Sequence, residues 1–150
     1  MPEIIRTNSD NQYFRQLVVL LDTDLTLRYG ELQKHYAQFN HIDFIDTVVL
    51  AYEDDIPAGC GCFRFFAPET IEIKRMYVKP EFRGRGLSRL ILAELEKWAG
   101  ELGYKKSVLE TGYQQAEAIH LYHRFGYTEI PNYGYFEGTE TSICMSKKLK

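Results

Sequence analysis

Between Thr70 and Leu102 the chain passes from strand periodicity to helix periodicity across a short basic turn, and this passage restricts the fold more than any other feature. Thr70–Val78 (TIEIKRMYV) alternates as a strand does. That predicts Ile71, Ile73, Arg75 and Tyr77 on one face and Glu72, Lys74, Met76 and Val78 on the other. After Pro80 comes Arg83-Gly84-Arg85-Gly86-Leu87-Ser88, and a helix is predicted from about Leu87 to Leu102. Leu87, Leu90, Ile91, Leu95, Trp98 and Leu102 form its apolar stripe, and Gly103 supplies a stop.

The remaining elements follow from similar signals. Pro2–Thr7 reads as a first strand. Ser9 or Asp10 is the expected cap of a helix running through Phe14, Leu17, Val18 and Leu21. A second helix is expected around Glu31–Phe39. Thr47–Tyr52 and Ala58–Phe66 read as strands of a hairpin, separated by Glu53-Asp54-Asp55 and Pro57. Lys106–Thr111 is a further strand. Gln115–Phe125 is a helix with Ala118, Leu121, Tyr122 and Phe125 on one face, ended by Gly126. Two short strands, Tyr127–Ile130 and Thr141–Lys147, bracket an aromatic loop at Asn132–Gly138. The order predicts a mixed α/β sheet flanked by helices. No repeat or linker interrupts it, and 150 residues fit one domain.

Composition narrows the function. Hydrophobic residues make up 45% of the chain, enough for a sizeable core, and the net charge of −3 argues against general nucleic-acid binding. No apolar run has the length of a membrane helix, and the start MPEIIRTNSD lacks the regions of a secretory signal. Cys60, Cys62 and Cys144 are too few and too odd for a disulfide framework, which favours a reducing cytoplasm. Cys60-x-Cys62 has no partner pair, and His35, His41, His120 and His123 show no ligand spacing, so no metal is expected. Cys144 has no sequence neighbour that activates it as a nucleophile.

The basic turn is the strongest chemical signal. Amides at a helix start point outward without partners, and the helix dipole adds positive charge. Glycines let an anion approach the backbone. Arg83, Arg85 and Arg89, with Lys79 nearby, complete a diphosphate site. The G-x-x-x-x-G-K-[ST] and G-x-G-x-x-G patterns of other phosphate loops are absent, which argues against a nucleotide-binding module. Taken alone, the turn reads sooner as a basic, glycine-containing turn with solvated arginines.

Its context resembles the GNAT acetyltransferase superfamily, which carries [QR]-x-x-G-x-[GA] after a strand ending in V-x-P. Here the run is Val78-Lys79-Pro80-Glu81-Phe82-Arg83-Gly84-Arg85-Gly86-Leu87-Ser88, with Ser88 at a position usually held by Gly or Ala. A second block, N-x-x-A-x-x-L-Y-x-x-x-G-[FY], is similar to Gln115–Tyr127 and matches from Ala118 onward, with Gln115 in place of Asn. The two blocks stand in the family's order.

The resemblance implies a mostly antiparallel central sheet with one splayed strand pair, and acetyl-CoA as acyl donor. It implies that Met76, Tyr77 and Val78 pair with the pantetheine arm, and that Gly84, Arg85, Gly86, Leu87, Ser88 and Arg89, with Arg83, hold the pyrophosphate. Gln115 and Tyr122 would also touch the cofactor. The reaction it implies is direct attack by a bound primary amine of a small molecule, amino acid or peptide on the thioester. Tyr122 corresponds to the frequent general acid, against a reading as a core aromatic. Glu72 is the candidate base, against a solvated carboxylate paired with Lys74, and Glu110 beside Thr111 competes for the role. Tyr29, Phe65, Tyr133 and Tyr135 are candidates for an aromatic acceptor pocket, and Arg64 for an acceptor carboxylate. Dimers are common among relatives. The alternative is a non-catalytic acyl-CoA-binding or sensing domain.

Overall fold

The computed structural model describes residues 2–30 and 44–150. The helix expected around Glu31–Phe39 lies outside them. The elements run β1 (Glu3–Thr7), α1 (Gln12–Tyr29), β2 (Val48–Glu53), β3 (Ile56–Ala67), β4 (Thr70–Val78), α2 (Leu87–Glu101), β5 (Lys106–Gly112), α3 (Ala116–Arg124), β6 (Thr128–Ile130) and β7 (Ser142–Lys148). Short 3-10 turns occupy Pro80–Phe82 and Gly134–Phe136. The seven strands are ordered β1-β2-β3-β4-β5-β7-β6. Antiparallel pairs join β1 to β2, β2 to β3, β5 to β7 and β6 to β7. The expected mixed, mostly antiparallel sheet is therefore present. Its parallel pair is β4–β5, and the register ends at Ile73↔Leu109 although both strands continue.

The chain divides into two compact units, Met1–Phe63 with Lys74–Leu95, and Arg64–Ile73 with Glu96–Lys150. In the first, Phe14, Leu17, Val18 and Leu21 of α1 pack with Val48, Leu50, Cys60, Cys62 and Tyr77. Each such burial removes enough apolar surface to contribute about 1.5–3 kcal/mol. Gly59 and Gly61 of β3 allow close approach by their neighbours. A Cβ on Gly59 would lie 2.9 Å from the Tyr77 carbonyl, and one on Gly61 would meet Met76, Ile91 and Leu95.

Four expectations are corrected. The cap of α1 is Asn11, whose side chain accepts from the amides of Tyr13 (2.9 Å) and Phe14 (3.2 Å). Ser9 is instead buried, bonded through its amide and its hydroxyl to Ile45. The hairpin turn is Asp54-Asp55 alone, with φ of 49° and 65°, and Pro57 sits within β3. Two positive φ values match the twist of a two-residue hairpin.

The buried stripe of α2 is Leu87, Ile91, Leu92, Leu95 and Ala99, while Leu90 and Leu102 are exposed. Finally, Arg75 has φ 59°, a left-handed conformation that interrupts the strict alternation expected along Thr70–Val78. Burial on β4 accordingly covers Glu72 and Lys74 as well as Ile71 and Ile73.

In the second unit β7 lies between β5 and β6. A polar cluster anchors this packing. The Tyr127 hydroxyl lies 2.8 Å from Ser107 Oγ and 3.0 Å from Glu96 Oε2, and Lys147 Nζ lies 2.8 Å from Glu96 Oε1. Each polar group entering the interior thus has a partner, which offsets its desolvation. Burial and the Glu96 carboxylate hold the Tyr127 phenol well above its ordinary pKa.

Candidate functional site

The basic turn follows β4 directly in the first unit. Lys79 donates its amide to the Ala58 carbonyl at 2.8 Å, which ties the strand's end to β3. The 3-10 turn at Pro80–Phe82 redirects the chain, and Gly84 and Gly86 carry it into α2 with φ of 82° and 80°. Those values favour glycine through backbone freedom alone, because nothing lies within 4 Å of either ideal Cβ.

Leu90 donates to the Gly86 carbonyl and begins the helical ladder. Among the described residues, the amides of Gly84 to Arg89 have no backbone acceptor. The first turn of α2 has no acidic residue, so no carboxylate competes for them. Ser88 is half-buried within this row, and Leu87 is buried beneath it.

The arginines divide their tasks. Arg83 turns back: its Nε donates to the Val78 carbonyl at 2.9 Å and its guanidinium lies over the Tyr77 ring. Arg85 lies over Phe82, and Arg89 is exposed. Met76 is half-buried, while Tyr77 and Val78 are buried. The sequence reading missed the adjoining Arg75–Asp22 ion pair of 2.7 Å, in which the arginine side chain is 6% exposed. Its Nε is the buried side-chain atom without a hydrogen-bond partner among the described residues. The one signal in the sequence is that alternation puts Arg75 on the face of Ile71, Ile73 and Tyr77, and nothing there names Asp22 as its partner.

The second unit holds the candidate base and most of the proposed acceptor residues. Glu72 is not a solvated carboxylate. It is 3% exposed and receives Arg64 Nε on Oε1 at 3.0 Å and the Tyr133 hydroxyl on Oε2 at 2.8 Å. Burial and then the Glu72 charge keep the Tyr133 phenol protonated, far above its ordinary pKa. The structure thus brings together Arg64, Glu72 and Tyr133, which sequence spacing cannot join. Phe66, absent from the sequence reading, meets the Tyr133 ring edge-on with centroids 4.8 Å apart. Phe65 is exposed and, one residue from Arg64 on the strand, points to the other face.

Tyr122 is buried on α3 and packs edge-on against Tyr127, so it does have the core contacts of a structural aromatic. Burial, with a smaller contribution from Glu110, raises its pKa well above the ordinary phenol value. Glu110 is half-buried, Thr111 is buried, and Cys144 pairs in register with Glu110. Burial pushes the Cys144 thiol up to about 11. Gln115 precedes α3, where its carbonyl accepts from Ala118 and Ile119 and its side chain makes no capping bond. The side chains of Tyr29 and Tyr135 lie outside the described residues.

A strand, a glycine turn with free amides and a helix start without acidic residues make a site suited to an anion such as a diphosphate. The model of the acetyltransferase (GNAT) family matches residues 14–127. An IAA acetyltransferase of Azospirillum brasilense is 30% identical over 140 residues, covering 88% of this chain and 90% of that one. A solved structure from Klebsiella pneumoniae, provisionally described as an acyl-CoA N-acyltransferase, has 27% identity and a TM-score of 0.83, covering 100% and 99% of the two chains. The PaiA N-acetyltransferase of Thermoplasma acidophilum, solved in complex with coenzyme A, has a TM-score of 0.75 over 99% of both chains; at 17% identity that likeness concerns the fold. The chain belongs to the GNAT acetyltransferase family and is an acetyl-CoA-dependent N-acyltransferase. Among the described residues no helix is long and apolar enough to cross a membrane.

Proposed function

We propose that this chain moves the acetyl group of acetyl-CoA to a primary amine of a small molecule, amino acid or peptide, by direct attack in a ternary complex. The observation that carries the proposal is the row of amides from Gly84 to Arg89, free of backbone acceptors at the start of α2. Such a row binds a diphosphate through N–H donors and the helix dipole, and Arg85 and Arg89 add charge beside it. Ser88 is small enough to leave the turn intact. Met76, Tyr77 and Val78 are proposed to pair with the pantetheine arm through backbone groups.

Bound acetyl-CoA supplies the activated acyl group. The protein must then remove a proton from the amine and stabilise the departing sulfur. Glu72, held from both sides, is proposed as the base. Arg64 Nε and the Tyr133 hydroxyl fix the orientation of its carboxylate, which is proposed to take the acceptor's proton directly or through water. Tyr122 is proposed to serve the sulfur. Its raised pKa makes it a persistent donor at neutral pH, which favours hydrogen bonding to the sulfur over complete loss of its proton. Gln115 is proposed to contact the cofactor ahead of α3. The family match runs through residues of both units, which supports reading residues 1–150 as one acetyltransferase domain. Three separate, buried thiols support a reducing, cytoplasmic setting.

The test is acetyl-CoA turnover against amines, amino acids and peptides, read as free thiol, for the wild type, Glu72→Gln and Tyr122→Phe. Glu72→Gln is expected to lower kcat by roughly a hundredfold or more while coenzyme A binding persists. Coenzyme A binding without turnover across the whole panel would refute the proposal, and full activity in either variant would remove that residue's role.

A further inference from the structure

Arg64 and Phe66 leave the same face of β3, two residues apart, and two further groups close a circuit between them. Arg64 Nε meets Glu72 Oε1 at 3.0 Å, Glu72 Oε2 meets the Tyr133 hydroxyl at 2.8 Å, and the Tyr133 ring meets Phe66 at 4.8 Å. The carboxylate at the back of the circuit is 3% exposed. The two front members reach solvent, the Arg64 side chain at 41% and Phe66 at 38%.

A guanidinium carries five N–H donors, and Glu72 takes the one on Nε. Its outer edge therefore remains in the exposed part of the side chain, with its orientation set from behind. An arginine fixed in this way has already lost the rotamer freedom that binding would otherwise cost, and its planar fork matches a carboxylate. Phe66 offers an exposed apolar ring beside that fork. A charged fork and an apolar ring side by side fit a ligand with both a carboxylate and an apolar group.

We propose that Arg64 and Phe66 receive the acceptor, and that the acceptor is an apolar α-amino acid or an amine of that class. Its carboxylate pairs with the outer edge of Arg64, and its side chain lies against Phe66. This rests on the reading of Glu72 as the group that takes the acceptor's proton: a carboxylate anchored on Arg64 brings the adjacent amino group toward Glu72.

The test compares leucine and phenylalanine with their amides and with the matching decarboxylated amines. Binding is measured calorimetrically in the presence of coenzyme A, and turnover by thiol release. The carboxylated acceptors are expected to bind and react with a Kd and KM roughly tenfold to a hundredfold below those of the amides. Arg64→Gln should erase that difference by raising KM for the carboxylated acceptors, beyond any loss of kcat that all acceptors share through Glu72. Phe66→Ala should raise KM for leucine and phenylalanine and leave glycine unchanged. Urea melts of both variants confirm that they fold.

Phenylalanine that binds the wild type but not Arg64→Gln, with no turnover of any amine, would sustain this acceptor site and overturn the transfer reading. Turnover of amines without a carboxylate preference would sustain transfer and overturn this site. An Arg64→Gln variant that loses kcat equally for every acceptor while keeping the KM preference for carboxylated acceptors would show that Arg64 serves Glu72 alone and would also overturn the site. So would the absence of both binding and turnover of the carboxylated acceptors.

Discussion

Gly59→Ala tests the packing that holds the proposed cofactor strand in place. The added Cβ would sit 2.9 Å from the Tyr77 carbonyl and 3.1 Å from Ile91 Cδ1 and Val78 Cγ2. The two side-chain contacts can relax by rotation, but the carbonyl belongs to the backbone of β4, so the strand itself must move by a few tenths of an ångström. Overpacking of this kind costs roughly 1–3 kcal/mol. Removing a glycine from a strand returns about 0.5–1 kcal/mol. At the centre of both ranges the net loss is about 1 kcal/mol, which lowers Tm by roughly 2–4 °C in a chain of this size.

Tyr77 also lies within the backbone segment proposed to pair with the pantetheine arm, so the Kd for coenzyme A should rise with the loss of stability. Urea unfolding and calorimetric titration with coenzyme A read the two effects. Gly100→Ala is the control. Gly100 lies in α2, and its nearest contact would be an ordinary 3.5 Å to the Lys150 carbonyl. That variant should gain about 0.5–1 kcal/mol from helix propensity. A Gly59→Ala protein as stable as the wild type, or more so, would refute the reasoning.

Three further outcomes are expected. Gly86→Ala forces an L residue to φ 80° without any clash, so it should cost roughly 1–2 kcal/mol of stability and weaken coenzyme A binding; unchanged titrations would count against the turn's role. Asn11→Ala removes the acceptor for the Tyr13 and Phe14 amides and should cost about 1 kcal/mol in urea melts, whereas Ser9 variants should act through Ile45 instead. Folding raises the Cys144 thiol from 9.0 to about 11, so above pH 9 the unfolded chain releases its proton first. The thiol's contribution is complete below pH 9 and is lost as the pH climbs through about 11, and the buried phenols of Tyr122, Tyr127 and Tyr133 act with the same sign at still higher pH. Urea midpoints should therefore fall between pH 9 and pH 11, roughly over the interval in which Cys144 begins to react with iodoacetamide.

By itself, the sequence determined what is local. The period of Thr70–Val78, the glycines at 84 and 86 and the stripe beginning at Leu87 depend on residues a few positions apart, and backbone sterics convert them directly into strand, turn and helix. The row of free amides follows from that local order, which is why the turn proposed to hold the cofactor was legible from the sequence. Tertiary structure decided the surroundings of each polar side chain. Ser9 looked like a cap, but a partner 36 positions away claimed it. Glu72 looked solvated, but Tyr133, 61 positions away, and Arg64 enclosed it. Arg75 looked like one more alternating strand residue, but a left-handed backbone and Asp22, 53 positions away, buried it. A carboxylate's role depends on desolvation and on partners within a few ångströms, and chain spacing does not encode that distance across a sheet. The glycine turn was therefore readable from composition and period, whereas the Arg64–Glu72–Tyr133 cluster exists only once β3, β4 and the Gly134–Phe136 turn have been brought together.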